Sequence, residues 1–151
     1  MENDKNNTLP DPKKGTAVGI VINRHTGQFH LVFNIAHKNP KAKIPGGRMK
    51  HRETAMTAFI REIWEELGLK LEPEDVMTLF SLLADNKKHY YHVFAALVDN
   101  FDGVHKEPVK DGKDLLENKL YNEITVAKAP LLLQHYVILK NIIRMIRKKE
   151  E

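Results

Sequence analysis

A sharp turn, Ile44-Pro45-Gly46-Gly47, runs into a stretch of helical periodicity from Glu53 to Leu67 that stops at Gly68. No other part of the chain constrains its fold as much. Paired glycines let a backbone approach another group closely. A glycine directly after a periodic apolar stretch suits the left-handed residue that closes a helix. At about 100° per residue, Met56, Ile60, Ile63 and Leu67 make the core-facing stripe. Glu62, Glu65 and Glu66 fall on another side. Ala55 and Ala58 lie one and two turns earlier on that arc and are too short to fill the space beside the acids, so the three carboxylates should border a hollow.

Strands flank this junction. Thr16 to Ile22 and Gln28 to Phe33 read as a hairpin about the turn Asn23-Arg24-His25-Thr26-Gly27. Val76 to Leu83 and His89 to Val98 read as two more, joined by Ala84-Asp85-Asn86-Lys87. Asn100 to Asn118 is charged and reads as loop, followed by a short strand at Lys119 to Tyr121. Pro130 suits the first turn of a long last helix running towards Arg147. Its apolar stripe, Leu131, Leu132, Tyr136, Leu139, Ile142, Ile143 and Ile146, should pack on the sheet. Strands mixed with two main helices predict a layered α/β sandwich.

At 151 residues the chain has the size of one domain. The polar residues 1–14 are expected to be a flexible tail and 15–151 the domain. The segment MENDKNNTLPDPKKG has no apolar core of a signal or transit peptide, and no apolar run approaches the roughly 18 residues of a membrane span, so a soluble cytoplasmic protein is expected. The chain has no cysteine, which excludes disulfides, thiolate metal sites and cysteine nucleophiles together. The net charge of +4 suits a polyphosphate ligand. Its Lys and Arg are scattered, apart from RMIRKK near the C-terminus and the stretch Lys38 to Lys50, so nucleic acid is the less favoured partner.

Three clustered carboxylates repel one another and add nothing to stability, which a divalent cation would correct. Magnesium takes hard oxygen ligands and is commonly held by one or two carboxylates plus substrate phosphates. A backbone carbonyl of the glycine turn is placed to join them. Three glutamates alone would still read as a solvated helix face.

The full pattern says more. Gly47, Glu53, Arg61, Glu62, Ile63, Glu65, Glu66, Gly68 and Leu69 fit G-x5-E-x7-R-E-U-x-E-E-x-G-U at every specified position, where U is a bulky aliphatic. A chance match is on the order of one in 10⁹ per start site at average residue frequencies. The segment thus resembles the Nudix box of the Nudix hydrolases. The resemblance implies a Nudix-type α/β/α sandwich with a mixed sheet between helices. By position, Glu65 and Glu66 look like metal ligands, the Gly47 carbonyl like a backbone ligand, and Glu62 like a further ligand or the general base, with Glu66 the second candidate for base. Glu53, Arg61 and Gly68 look structural. An auxiliary acid from the loop before the last helix is sought at Glu117, Asp114 or Asp111. Family members often have glycine immediately before the box glutamate and an aromatic residue shortly before the Pro-Gly-Gly turn; here Arg52 and Lys43 stand there.

The resemblance implies magnesium-dependent hydrolysis, with manganese as the alternative metal, of a phosphoanhydride bond in a nucleoside diphosphate linked to another group. The expected substrate is a small nucleotide, first a nucleoside triphosphate or related dinucleotide. ADP-ribose is lowered because no proline follows Pro73 until Pro108, and the isomerase branch is excluded by the missing cysteine. The alternatives are a non-catalytic nucleotide- or RNA-binding module and an RNA 5′-end pyrophosphohydrolase. Oligomeric state is left open.

Overall fold

The computed structural model describes residues 8–150. Its strands are β1 (Thr16–Asn23), β2 (Phe29–Asn34), β3 (Ala42–Lys43), β4 (Gly46–Arg48), β5 (Val76–Leu83), β6 (Tyr90–Val98), β7 (Val109–Asp111) and β8 (Asp114–Tyr121). They join one sheet in the order β5-β6-β1-β2-β8-β7, with β3 on β2 and β4 on β1. The β1–β6 pair is parallel and the other pairs antiparallel, so the sheet is mixed. Helices α1 (Ala55–Leu67) and α2 (Leu133–Glu150) cover opposite faces, which completes the expected α/β/α sandwich.

Alternation along the central strands explains the two layers. Val18 and Ile20 of β1, with Val93 and Ala95 of β6, pack towards Ile138, Leu139 and Ile142 of α2. Ala17 and Val21, with Phe94 and Ala96, pack towards Phe59, Ile63 and Leu67 of α1. Each fully buried Phe or Ile of this kind stabilises the fold by about 1.5–3 kcal/mol. Both sheet faces are therefore apolar at the centre, and the strands there read as continuous hydrophobic runs.

Several boundaries differ from the sequence reading. The first helix starts at Ala55 rather than Glu53, because Thr54 caps it by accepting from the Thr57 N–H at 3.1 Å. Gly68 closes it as expected, with φ 78° and its N–H donating to the Trp64 carbonyl. The segment expected to be loop, Asn100 to Asn118, holds β7 and most of β8, of which Lys119 to Tyr121 is only the end. Only Leu116 is buried in β8, and the strand is held by its backbone ladder to β2, which composition does not report. The last helix begins at Leu133, not at Pro130. The Pro130 carbonyl instead accepts from the Ala42 N–H at 3.0 Å, and Leu131 bridges Ala42 in extended backbone. Leu132 and Tyr136 consequently face solvent, and Ile138, Leu139, Ile142 and Ile146 carry the buried stripe. Of the expected N-terminal tail, residues 1–7 lie outside the described residues, while Pro12–Lys14 form a short 3-10 turn capped by Asp11. Among the described residues no helix is long and apolar enough to cross a membrane.

Candidate active site

The glycine turn is fixed from three sides. Strand β4 pairs with β1, and the Gly19 N–H donates to the Pro45 carbonyl at 3.1 Å. From α1, a Glu66 carboxylate oxygen accepts the Gly46 N–H at 3.1 Å. From α2, Nδ1 of the buried His135 accepts the Ile44 N–H at 2.9 Å. A backbone with so many satisfied groups has one geometry.

The acids lie beneath this turn. Glu66 is 4% exposed. Burial pushes its carboxyl up to about 8, opposed by the Gly46 hydrogen bond and reinforced by the charges of Glu62 and Asp111. Glu62, its side chain 13% exposed, is likewise raised by burial. It sits so close under the turn that a Cβ at Gly47 would lie 2.5 Å from its Oε1. Glu65 is the open member, its side chain 47% exposed. The space beside the acids therefore comes from Gly47 and not from the alanines: Ala58 is fully buried in the core against the sheet and Ala55 half-buried.

Arg61 organises the approach. Its Nε and Nη2 donate to the two oxygens of Glu53 at 2.8 and 2.9 Å, Nη1 donates to Glu62 at 2.7 Å, and Nη2 also donates to the Arg48 carbonyl at 3.1 Å. Glu53 in turn accepts the Lys50 N–H at 2.9 Å. The guanidinium beside Glu53 holds that carboxyl down at about 2. Such a two-pronged, largely buried pair differs from a lone surface ion pair, because it ties the loop from Arg48 to Glu53 onto the helix that carries the acids.

A cleft of about 480 Å³ opens in front of Glu62, Glu65 and Glu66, with Lys50, Lys110 and Asp111 on its rim. Of the acids sought before the last helix, Asp111 on β7 reaches this cleft. Asp114 instead accepts from the Asn34 side chain at 2.8 Å. Glu117 follows Leu116, which faces the cleft, so it projects from the other face of β8, beside Lys119. The aromatic strand β6 directs Phe94 into the core, stacked on Phe59 at 5.3 Å.

The donors suit a hard cation: the carboxylate oxygens of Glu62, Glu65 and Glu66 gather in one cleft under the turn, with Asp111 at its rim. Among the described residues no three acid or imidazole groups form a ready-made cage. Arg61 and the Gly46 N–H engage oxygens of Glu62 and Glu66, so a cation here would draw further ligands from water and phosphate.

His135 is invisible as a site residue in the sequence, where it only interrupts an apolar run. Its sole signal is a polar residue on the core side of the last helix. Burial, then Lys43, lowers its imidazole to about 4, so it is neutral, with the proton on Nε2 and Nδ1 free to accept. His135→Leu leaves the Ile44 N–H without its partner and should lower kcat roughly tenfold, as removal of a supporting hydrogen bond does around a metal site. His135→Asn, whose side-chain oxygen can accept in place of Nδ1, should recover most of the loss in steady-state kinetics.

A NUDIX domain model matches residues 13–141. Among solved structures, the chain resembles a MutT NUDIX hydrolase from Burkholderia pseudomallei at 19% identity and a TM-score of 0.67, over 85% of this chain and 97% of that one. It resembles MutT from Aliivibrio salmonicida and Vibrio cholerae at 20% identity and 0.64, over 87% and 98%. A bifunctional NMN adenylyltransferase/ADP ribose pyrophosphatase from Francisella tularensis, complexed with AMP and a manganese ion, matches at 19% identity and 0.62, over 98% of this chain and 45% of that one. No curated protein matches significantly. At these identities the structures share a fold, and the domain match establishes the family.

Proposed function

The chain belongs to the Nudix hydrolase family, and from that premise we propose that it hydrolyses a phosphoanhydride bond of a nucleoside diphosphate linked to another group, with a nucleoside triphosphate or related nucleotide as substrate. The observation that carries this reading is the set Glu62, Glu65 and Glu66, joined by Asp111, in one cleft under the Gly46-Gly47 turn. Glu65 and Glu66 would hold a divalent cation, magnesium first and manganese as the alternative. Such a cation, when bound, neutralises charge on the bridging phosphates and orients the attacking water.

The residues of the chain do the rest. Glu62 is the general base: burial raises its proton affinity above that of a free carboxylate, while Arg61 opposes the rise. Arg61 fixes one of its oxygens and leaves the other to accept the proton of the attacking water. A water oxygen forms a bond to phosphorus, the bridging P–O bond breaks, the proton passes to Glu62, and the departing phosphate keeps the electron pair. Lys50 and Lys110 on the rim balance the charge of the phosphates that enter. Nucleoside monophosphate is one product.

The test is product analysis with magnesium over nucleoside triphosphates, dinucleoside polyphosphates, ADP-ribose, NADH, and capped or 5′-triphosphorylated RNA. Nucleoside monophosphate release from at least one nucleotide is expected. No turnover of any of them would favour a binding module instead.

A further inference from the structure

We propose that the outward face of α2, with the turn before it, docks the protein onto an anionic lipid bilayer, on the side of the sheet away from the acids. Helix α2 buries Ile138, Leu139, Ile142 and Ile146 against the sheet. Its opposite side bears Leu133, Val137, Lys140, Arg144 and Lys148, which at steps of three and four residues share one stripe. All five are exposed, Leu133 at 77%. The stripe is apolar at its start and basic from Lys140 onwards. From Leu133 to Lys149 the helix has no acidic residue.

The apolar end is a patch rather than a scatter of single residues. Among the described residues, five of the eight exposed large apolar side chains fall between Ile124 and Val137, namely Ile124, Leu132, Leu133, Tyr136 and Val137. Ile124 is 82% exposed and stands between Glu123 and Val126, both of which line a hollow of about 490 Å³ beside α2. Leu139 and Ile143 add apolar wall to this hollow, and Lys140, Arg144 and Lys148 also border it. Of its lining residues only Glu123 is acidic, and Arg147 pairs with it. Lys140, Arg144 and Lys148 make no ion pair among the described residues. The Lys140 ammonium lies 5.5 Å from the centre of the Tyr136 ring, so an aromatic ring and a cation meet where the patch gives way to charge.

Protruding aliphatic side chains and unpaired cations on one face suit a surface that is anionic outside and hydrocarbon beneath. Anionic headgroups attract each Lys and Arg, while Ile124, Leu133 and Val137 enter the acyl boundary as the apolar side of an interfacial helix does. A second copy of the chain fits poorly. A two-fold contact through this face would bring the cations of both copies together with no free acid to pair them. The acids of the cleft lie on α1, across the sheet, so a docked protein keeps its cleft open to solution and membrane binding does not depend on hydrolysis.

Binding is read by sedimenting the full chain with vesicles of phosphatidylcholine alone, or with about 30 mol% phosphatidylserine. Wild type should partition onto the anionic vesicles only. Lys140→Ser with Arg144→Ser and Lys148→Ser should weaken partition about 100-fold, at about fivefold for each cation. Ile124→Ser with Leu133→Ser should weaken it about tenfold or more. Lys13→Ala with Lys14→Ala and Lys70→Ala removes as many exposed cations away from α2 and should bind like wild type. Every substituted residue is exposed, so circular dichroism spectra should not change. Wild type that stays in the supernatant, or a control variant that loses as much as the α2 variant, would overturn the proposal. So would full binding by Ile124→Ser with Leu133→Ser, which would reduce the contact to charge alone. Polyglutamate that displaces the vesicles at equal charge would assign the face to an acidic protein instead, and a dimer in sedimentation equilibrium that Leu133→Ser dissolves would assign it to a second copy.

Discussion

Gly46→Ala is expected to be the most destabilising single substitution near the site, by about 3–5 kcal/mol when backbone strain and forced overpacking are added. Gly46 has φ 146°, which an L side chain rarely adopts. An added Cβ would also lie 2.1 Å from the Ala17 carbonyl oxygen and 2.7 Å from the Val18 Cα. Both obstacles are backbone atoms of the central strand β1, so neither can rotate away. The turn would have to leave β1, and with it the N–H that Glu66 accepts. Urea unfolding should show the midpoint falling sharply, together with loss of activity in whatever protein folds. A variant within about 1 kcal/mol of wild type, the range of an ordinary tolerated substitution, would show that the turn is not held as described.

Glu66→Gln should separate stability from activity. The wild-type carboxyl is raised to about 8 in the folded chain, chiefly by burial, against roughly 4.3 for a free side chain. Between those values the native state keeps a proton that the unfolded state has released. Stability therefore falls as pH rises through that window and is lowest above pH 8. Glutamine keeps an oxygen for the Gly46 N–H and removes the buried charge. In EDTA at pH 8.5 the variant should melt above wild type, and the difference should shrink towards pH 5. Turnover should fall about 100-fold or more if Glu66 is a metal ligand as proposed, because such a ligand contributes to several kcal/mol of charge stabilisation and each 1.36 kcal/mol is tenfold in rate. A variant less stable than wild type throughout this pH range would contradict the burial account. Near-normal turnover would remove Glu66 from the site.

Much of this is legible in the sequence because the box is a local object. Its residues span one turn and one helix, and each is fixed by a short-range need: Gly47 by the acid beneath it, Gly68 by the helix end, Glu53 and Arg61 by their mutual pair. The layered α/β sandwich comes from strand and helix periodicity, which Ala17, Val18, Ile20 and Val21 reproduce by packing on opposite sheet faces, Val18 and Ile20 on one and Ala17 and Val21 on the other. The features that escape are long-range. Strand β8 exists through its ladder to β2, not through its own composition. The start of α2 lies later than Pro130 suggests because Pro130 and Leu131 are taken up by Ala42, some ninety residues earlier in the chain. His135 matters only through its contact with Ile44. Helical angle alone puts Ala58 beside a hollow, because it does not say where the sheet lies. Among the auxiliary acids, the order of the chain cannot tell Asp111 from Asp114 and Glu117, which the pleat and the side-chain hydrogen bonds separate.

If acids gathered under a glycine turn cut a phosphoanhydride bond with the help of a divalent cation, both the acids and the cation must be needed for turnover. The most direct test is nucleoside monophosphate release by wild type and Glu65→Gln, side by side, with and without chelator. Glu65 is the best choice because its side chain is open to solvent, so replacing it should leave the fold intact. Wild-type turnover should vanish in EDTA and return with magnesium, while Glu65→Gln, with an unchanged circular dichroism spectrum, should be about 100-fold slower or worse. Turnover by Glu65→Gln at the wild-type rate, or by wild type in excess chelator, would contradict the account.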